Sequence, residues 1–106
     1  MLGLAYENGN GSPLDYTAAR KLLLSSALKN YAPAQMMYAF MLQAGEGGDS
    51  DSFKAYIWAK VAEKNGQASA IDIISIANLA LDDEELIEAE TIVNDCLNIG
   101  LNICPI

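Results

Sequence analysis

The chain has 106 residues, of which 52% are hydrophobic and only three are proline, so its length and composition are those of one ordered domain. Its net charge of −8 at pH 7 argues against a nucleic-acid partner, because phosphate binding requires clustered lysine and arginine. No apolar run reaches the roughly 20 residues that a membrane helix needs, so we do not expect membrane insertion.

The sequence repeats with a period of 36 residues. A unit of this length cannot bury its own apolar face, so successive units must stack and share a core. The repeat therefore predicts an all-α solenoid, which exposes a long surface to a partner. The matching pairs are Gly9 and Gly45, Gly11 and Gly47, Asp15 and Asp51, Ala19 and Ala55, and Ala34 and Ala70.

The first predicted unit spans about residues 1–33. Residues 1–8 have the pattern of the end of a helix, and the segment from Asn8 to Pro13 breaks it, because glycine tolerates positive φ and proline cannot continue a helix. Asp15 is a good N-cap for the next helix. We expect that helix to stop near Asn30.

The second unit, about residues 34–67, repeats this order. Pro33 suits the first turn of a helix that runs to about Ala44, where residues 45–48 interrupt it with three glycines. Asp51 is expected to cap a further helix that ends at residues 65–66. The glycines favour a turn with positive φ over a phosphate-binding loop, because no strand precedes them and no Gly-Lys-Ser/Thr follows.

The third unit, about residues 68–100, departs from the repeat. Its two predicted helices span about 68–81 and 83–98, and the loop between them is shorter and lacks glycine. The pattern thus predicts six helices in three antiparallel hairpins. Three alternatives remain for the apolar tail 101–106: it caps the last hairpin, the chain belongs to a longer array, or the end pairs with another copy.

The motif Leu-Gly-x-x-Tyr-x-x-Gly-x-Gly over residues 2–11, followed by Asp15 and Ala19, resembles the Sel-one-like repeat family, a relative of the tetratricopeptide repeat. The second unit keeps the glycines, the aspartate and Ala55, and departs from the family at residues 38, 39 and 42. This resemblance covers about two thirds of the chain. It implies a right-handed α/α superhelix with a scaffold or adaptor role and no catalytic residue, commonly in bacteria and often outside the cytoplasm.

Cys96 and Cys104 are eight residues apart at the end of the last predicted helix. This spacing resembles the disulfide of a cysteine-rich, exported branch of the same family. A free buried thiol is the alternative. The compartment stays open: periplasmic or secreted if a leader was removed, otherwise cytoplasmic.

The first helices of the units have a second apolar face, which a helix meeting only water would not have. In the second unit, residues 34, 38, 39 and 42 are expected to face the partner helix, which leaves an apolar band on the other side. In tetratricopeptide-like stacks this side lines a concave groove, and methionine suits an adaptable peptide site. The alternative is that neighbouring first helices pack on each other through these residues. The predicted partner-binding residues are Met1, Leu4, Met36, Met37, Phe40, Ile73 and Ile76.

Residues 71–106 contain eight acidic residues and no basic one. The first-turn acids of the last helix suit its dipole, but that does not explain the later ones, including Glu88 and Glu90. We therefore weigh a docking surface for a basic partner, formed by Glu84, Glu85 and Glu88, against a merely solvated acidic face.

The predicted function is a protein–protein interaction module that binds a peptide or protein in its concave groove. The absence of histidine excludes Ser–His and Cys–His catalytic pairs and histidine metal sites, and we expect no enzyme, metal or cofactor. The competing hypotheses are an exported small-ligand binder or cell-wall-related enzyme of the cysteine-rich branch, and a purely structural spacer.

Overall fold

A computed structural model describes residues 15–105, which form five α-helices and contain no strand. The all-α class is therefore confirmed, while the predicted helix over residues 1–8, the glycine loop that follows it, and Ile106 lie outside the described residues. The helices are α1 (Tyr16–Leu28), α2 (Ala32–Ala44), α3 (Ser52–Lys64), α4 (Ile71–Ala80) and α5 (Asp83–Asn98), with 3₁₀ turns at Ala68–Ala70 and Leu101–Ile103.

Three aspartates begin three of the helices. Asp15, Asp51 and Asp82 each accept a hydrogen bond from the backbone N–H three residues later, at 3.0, 3.0 and 2.8 Å. At α5 the Glu85 carboxylate also accepts the Asp82 N–H at 3.1 Å, which completes a capping box. The predicted caps at Asp15 and Asp51 are thus confirmed.

The helices also end where the sequence predicts. Asn30 adopts a φ of 67°, and Gly45 ends α2 with a φ of 74°. Gly47 has a φ of 76° and lies so close to α1 that an added Cβ would collide with the Tyr16 carbonyl. Gly66, with a φ of 101°, has no atom near the place where its Cβ would be. Gly47 is therefore required by both conformation and space, whereas Gly66 is required by conformation alone.

The core is built around α3. Its residues Ile57, Trp58 and Val61 are completely buried, and α2, α4 and α5 all lie against it. The Tyr38 ring meets the Trp58 ring edge to face, with centroids 5.5 Å apart. The tail also reaches α3, because the Trp58 indole N–H donates to the Pro105 carbonyl at 2.7 Å. The tail therefore folds back over the helices, as the first of its three alternatives predicts.

The third helix pair differs from the second. α2 and α3 pack closely along each other, while α4 and α5 each pack mainly on α3 and approach each other little. The connection between α4 and α5 is only Leu81 and Asp82, without the glycine loop that joins α2 to α3. The third unit is therefore a more open pair than the antiparallel hairpin that the repeat predicts.

Small buried residues mark the places where one unit meets the next. The last turn of α1, α3 and α5 each contains one such residue, and a second such residue lies shortly after that helix ends. All six residues are at most 4% exposed. In the last pair the structure joins Cys96 to Cys104 in a disulfide, with Cα atoms 5.4 Å apart, so these cysteines are not free thiols. The pairs are Ala27 and Ala34, Ala62 and Ala70, and Cys96 and Cys104.

A buried amide network ties α1, α2 and α3 together. Gln35 is completely buried; its amide donates to the Ala27 carbonyl at 3.1 Å, and its side-chain oxygen accepts from Asn65 at 3.0 Å. The Asn65 amide also donates to the Asn30 side chain at 2.9 Å. Because Asn30 follows α1 and Asn65 follows α3, Gln35 joins the ends of two units.

Replacing Gln35 with alanine should lower the free energy of unfolding by about 2–4 kcal/mol, because it leaves a cavity and unpaired buried amide groups. Chemical denaturation would measure the loss. Gln43→Ala is the control, because it makes the same change on the same helix at a partly exposed side chain. The side-chain oxygen of Gln43 accepts no hydrogen bond in the described part of the chain, so this change should cost less than about 1 kcal/mol. Equal losses would show that the network adds no stability.

Gly47→Ala should destabilise the fold by about 2 kcal/mol or more, since strain from positive φ adds to a collision with backbone. Gly66→Ala should cost about 1 kcal/mol, from strain alone. Thermal unfolding of the two variants compares them directly, and a smaller loss for Gly47→Ala would contradict the close contact with Tyr16.

Candidate functional site

An apolar groove lies between α2 and α4, on the side of both helices that faces away from α3. It has a volume of about 320 Å³. Its walls come from residues one helical turn apart on each helix, and five of its seven lining residues are apolar. The lining residues are Met36, Met37 and Phe40 from α2, and Ser69, Asp72, Ile73 and Ile76 from α4 and the turn before it.

The groove brings together all the predicted partner-binding residues that the structure describes, namely Met36, Met37, Phe40, Ile73 and Ile76. The other two, Met1 and Leu4, lie outside the described residues. These five residues come from positions about 36 apart in sequence, and the repeat places them side by side.

The groove residues differ in how far they reach solvent. Ile73 is only 7% exposed and forms part of the core. Phe40 and Ile76, by contrast, are 48% and 54% exposed. Met36 lies between these cases: it is partly buried, and its sulfur accepts a hydrogen bond from the Ser69 hydroxyl at 3.1 Å. The groove thus has a buried floor and an exposed apolar rim.

Asp72 is a polar member of the groove that our predicted set omits. It occupies the place in the third unit that Met36 occupies in the second, 36 residues earlier. The predicted set contains only apolar residues and therefore omits Asp72. The 36-residue spacing from Met36 nevertheless indicates that Asp72 lies in the groove. Ser69 lies in the turn before α4 and follows from no pattern in the sequence.

The predicted acidic docking residues lie at the start of α5 and do not line the groove. Glu84 and Glu88 are exposed, whereas the Glu85 side chain completes the capping box with Asp82. Glu85 is therefore engaged in holding the helix start, and only the other two predicted residues present their charge to solvent.

Glu90 has partners that its sequence neighbourhood does not suggest. Its carboxylate accepts a hydrogen bond from the Tyr56 hydroxyl at 2.6 Å and lies 3.6 Å from the Lys60 ammonium, both on α3. Residues 71–106 contain no basic residue, so the base that pairs with Glu90 comes from another unit. Burial, followed by the hydrogen bond to Glu90, raises the pKa of Tyr56 to about 12.

This pKa predicts a loss of stability in alkali. The unfolded state releases the Tyr56 proton near the ordinary pKa of 10.0, whereas the folded state keeps it until about 12. The stabilisation is therefore complete below about pH 10 and lost as the pH rises toward 12. Urea unfolding from neutral pH to about pH 12 should show this, with a shallower fall for Tyr56→Phe, which should itself cost about 1–2 kcal/mol. Parallel curves for the two proteins would contradict the assignment.

A second cavity, of about 400 Å³, lies between α1, α2 and the loop that precedes α3. Its charged lining mixes Arg20, Lys21 and Lys54 with Asp49 and Asp51. The Asp51 carboxylate caps α3, and the Arg20 guanidinium donates to the Asp49 carbonyl at 3.1 Å. Two of these groups thus hold the loop in place.

Tyr38 lines the same cavity and is only 3% exposed. Burial raises the pKa of its hydroxyl, and the Arg20 charge partly offsets this effect. A phenol whose pKa is raised is a poor base and nucleophile at neutral pH. The Tyr38 hydroxyl therefore stays protonated at neutral pH and is not an activated base or nucleophile.

Within residues 15–105, no group of three or more acidic or cysteine side chains is placed to hold a metal ion. None of the helices in this range combines the length and apolar character needed to cross a membrane.

Comparison of the chain with models of protein families, with curated proteins and with solved structures found no significant match. Membership of the Sel-one-like repeat family accordingly stays a prediction that the motifs of the first two units carry.

Proposed function

We propose that this chain is a protein-interaction module that binds an apolar peptide segment of another protein in the groove between α2 and α4. It has no catalytic activity of its own in this proposal. The observation that carries it is the exposed apolar rim: Phe40 and Ile76, on two different helices, are each about half exposed above a shared apolar floor.

A partner that covers the rim would bury apolar surface that is exposed in the protein alone. Burying a phenylalanine or isoleucine side chain is worth about 1.5–3 kcal/mol when it is complete, and about half of that gain is still available at Phe40 and Ile76. Adjoining exposed apolar side chains are a feature of interaction sites more than of solvated surfaces. The methionines beside them can adapt to different partner side chains.

We further propose that the helices form a tetratricopeptide-like superhelix of the Sel-one-like kind, with units of about 1–33, 34–67 and 68–100. The caps at Asp15 and Asp51, 36 residues apart, and the recurring small buried residues between units support this arrangement. In such a superhelix α2 and α4 are the first helices of their units, so the groove would lie on the concave side.

The proposal can be tested with the methionine methyl groups as reporters. The chain has four methionines; Met36 and Met37 line the groove, while Met41 is buried and is not among the lining residues. Peptides selected from a displayed random library by binding to this protein should shift the NMR signals of the Met36 and Met37 methyl groups and leave that of Met41 nearly unchanged. Selected peptides that shift neither groove methionine would refute the groove as the binding site.

Phe40→Ala separates binding from packing. Because Phe40 is half exposed, its truncation should cost no more than about 1–2 kcal/mol of stability, against about 3–5 kcal/mol for a core phenylalanine, and it should weaken peptide binding at least tenfold. Calorimetry would measure both quantities. Leu79→Ala, at a side chain of α4 that is 90% exposed and outside the groove, is the control and should change neither. Unchanged peptide affinity in Phe40→Ala would contradict the proposal.

A further inference from the structure

Taking the groove function as given, we propose that its occupant is a basic segment: apolar side chains fill the groove while lysine or arginine side chains pair with Asp72 and with the acidic start of α5. The inference rests on the distribution of charge around the groove. The apolar lining alone does not indicate the charge of the partner, whereas the acidic residues around the groove do.

Asp72 supplies the charge inside the groove. It is the charged member of the lining, it is exposed, and none of the ion pairs within residues 15–105 involves it. An apolar segment that covers the groove would remove water from this carboxylate. Burying an unpaired charge is costly, so the favoured occupant brings a cation to Asp72.

Within residues 15–105 no cationic side chain lies at this place. All the lysine and arginine residues of the described range lie on α1 and α3 or at the end of α1, and none lines the groove. They are Arg20, Lys21, Lys29, Lys54, Lys60 and Lys64. Positive charge is therefore on or next to the second helices of the first two units, while the charged residues of α4 and α5 are all acidic.

The acidic start of α5 follows α4 closely along the chain. Ile76 is about one helical turn from the end of α4, and only two residues separate α4 from α5. We infer from this short connection that a segment which lies along α4 and extends beyond Ile76 meets Asp83 and Glu84, both of which are exposed. Glu88, one turn further along α5, is exposed as well.

Not all acids of the third unit contribute to this surface. Asp82 and Glu85 satisfy each other's backbone groups at the helix start, and Glu90 is paired with Lys60. Asp72, Glu84 and Glu88 take part in no such ion pair. These three, together with the exposed Asp83, are thus the residues on which selectivity for a basic segment depends.

Three synthetic peptides test the inference. They are acetylated, amidated amphipathic helices with identical leucine and phenylalanine positions, and their polar positions are all lysine, all glutamine or all glutamate. Titration into the protein, followed through the Met36 and Met37 methyl signals, gives each affinity. We expect the lysine peptide to bind at least about tenfold more tightly than the glutamate peptide at low salt, with a smaller ratio as salt is added.

Variants identify the residues responsible. Asp72→Asn should weaken the lysine peptide roughly twofold to fivefold, the effect of one partly exposed ion pair, and leave the glutamine peptide unchanged. Glu84→Gln with Glu88→Gln should act in the same direction. Asp95→Asn is the matched control: it is an exposed acid on the same helix, about 18 Å along the axis from Asp83, and should have no effect.

The outcomes separate this inference from the groove function. Equal affinities for the three peptides, with Met36 and Met37 shifted, would overturn the charge preference and keep the groove. Binding of the lysine peptide without those shifts would mean attraction to the acidic helix alone and would also overturn it. If none of the three peptides moves the groove methionines, both proposals fail.

Discussion

The structure depends on the burial of α3. Seven of its thirteen residues are buried, among them Trp58, so this helix has apolar side chains around most of its circumference and must be covered on several sides. α2, α4, α5 and the tail each cover part of it. Because α2 and α4 both lie on the same central helix, their outer faces come together, and the groove is a consequence of how α3 is covered.

The charge distribution follows from the same arrangement. α3 has its lysines at the edge of its buried surface, where Lys60 neutralises Glu90 of α5 and Tyr56 donates to the same carboxylate. This pairing engages Glu90 and leaves the acids at the start of α5 without an ion pair among the described residues. The acidic character of the third unit is thus divided between an internal structural role and an external surface.

Local signals in the sequence predicted much of this fold. Capping aspartates, residues suited to positive φ and the helical spacing of apolar positions predicted where α1, α2, α3 and α5 begin and end. Each of these signals depends on only a few neighbouring residues. The period also placed Phe40 beside Ile76. What it missed depends on distant segments: the Lys60–Glu90 pair, the openness of the third helix pair, and the Trp58 contact with the tail. No repeat encodes them, since they occur where the repeat fails.

The contacts that hold successive units together differ in chemistry, and this difference affects how the protein would respond to a pulling force. Between the first two units Gln35 and Asn65 hold the helix ends through amide hydrogen bonds, whereas after the last helix Cys96 and Cys104 hold the tail through a covalent bond. Amide contacts yield under load and re-form, but a disulfide transmits tension until a reductant cuts it. The two ends of the described chain would therefore respond differently to pulling, and only the tail end would change its resistance with the thiol content of its surroundings.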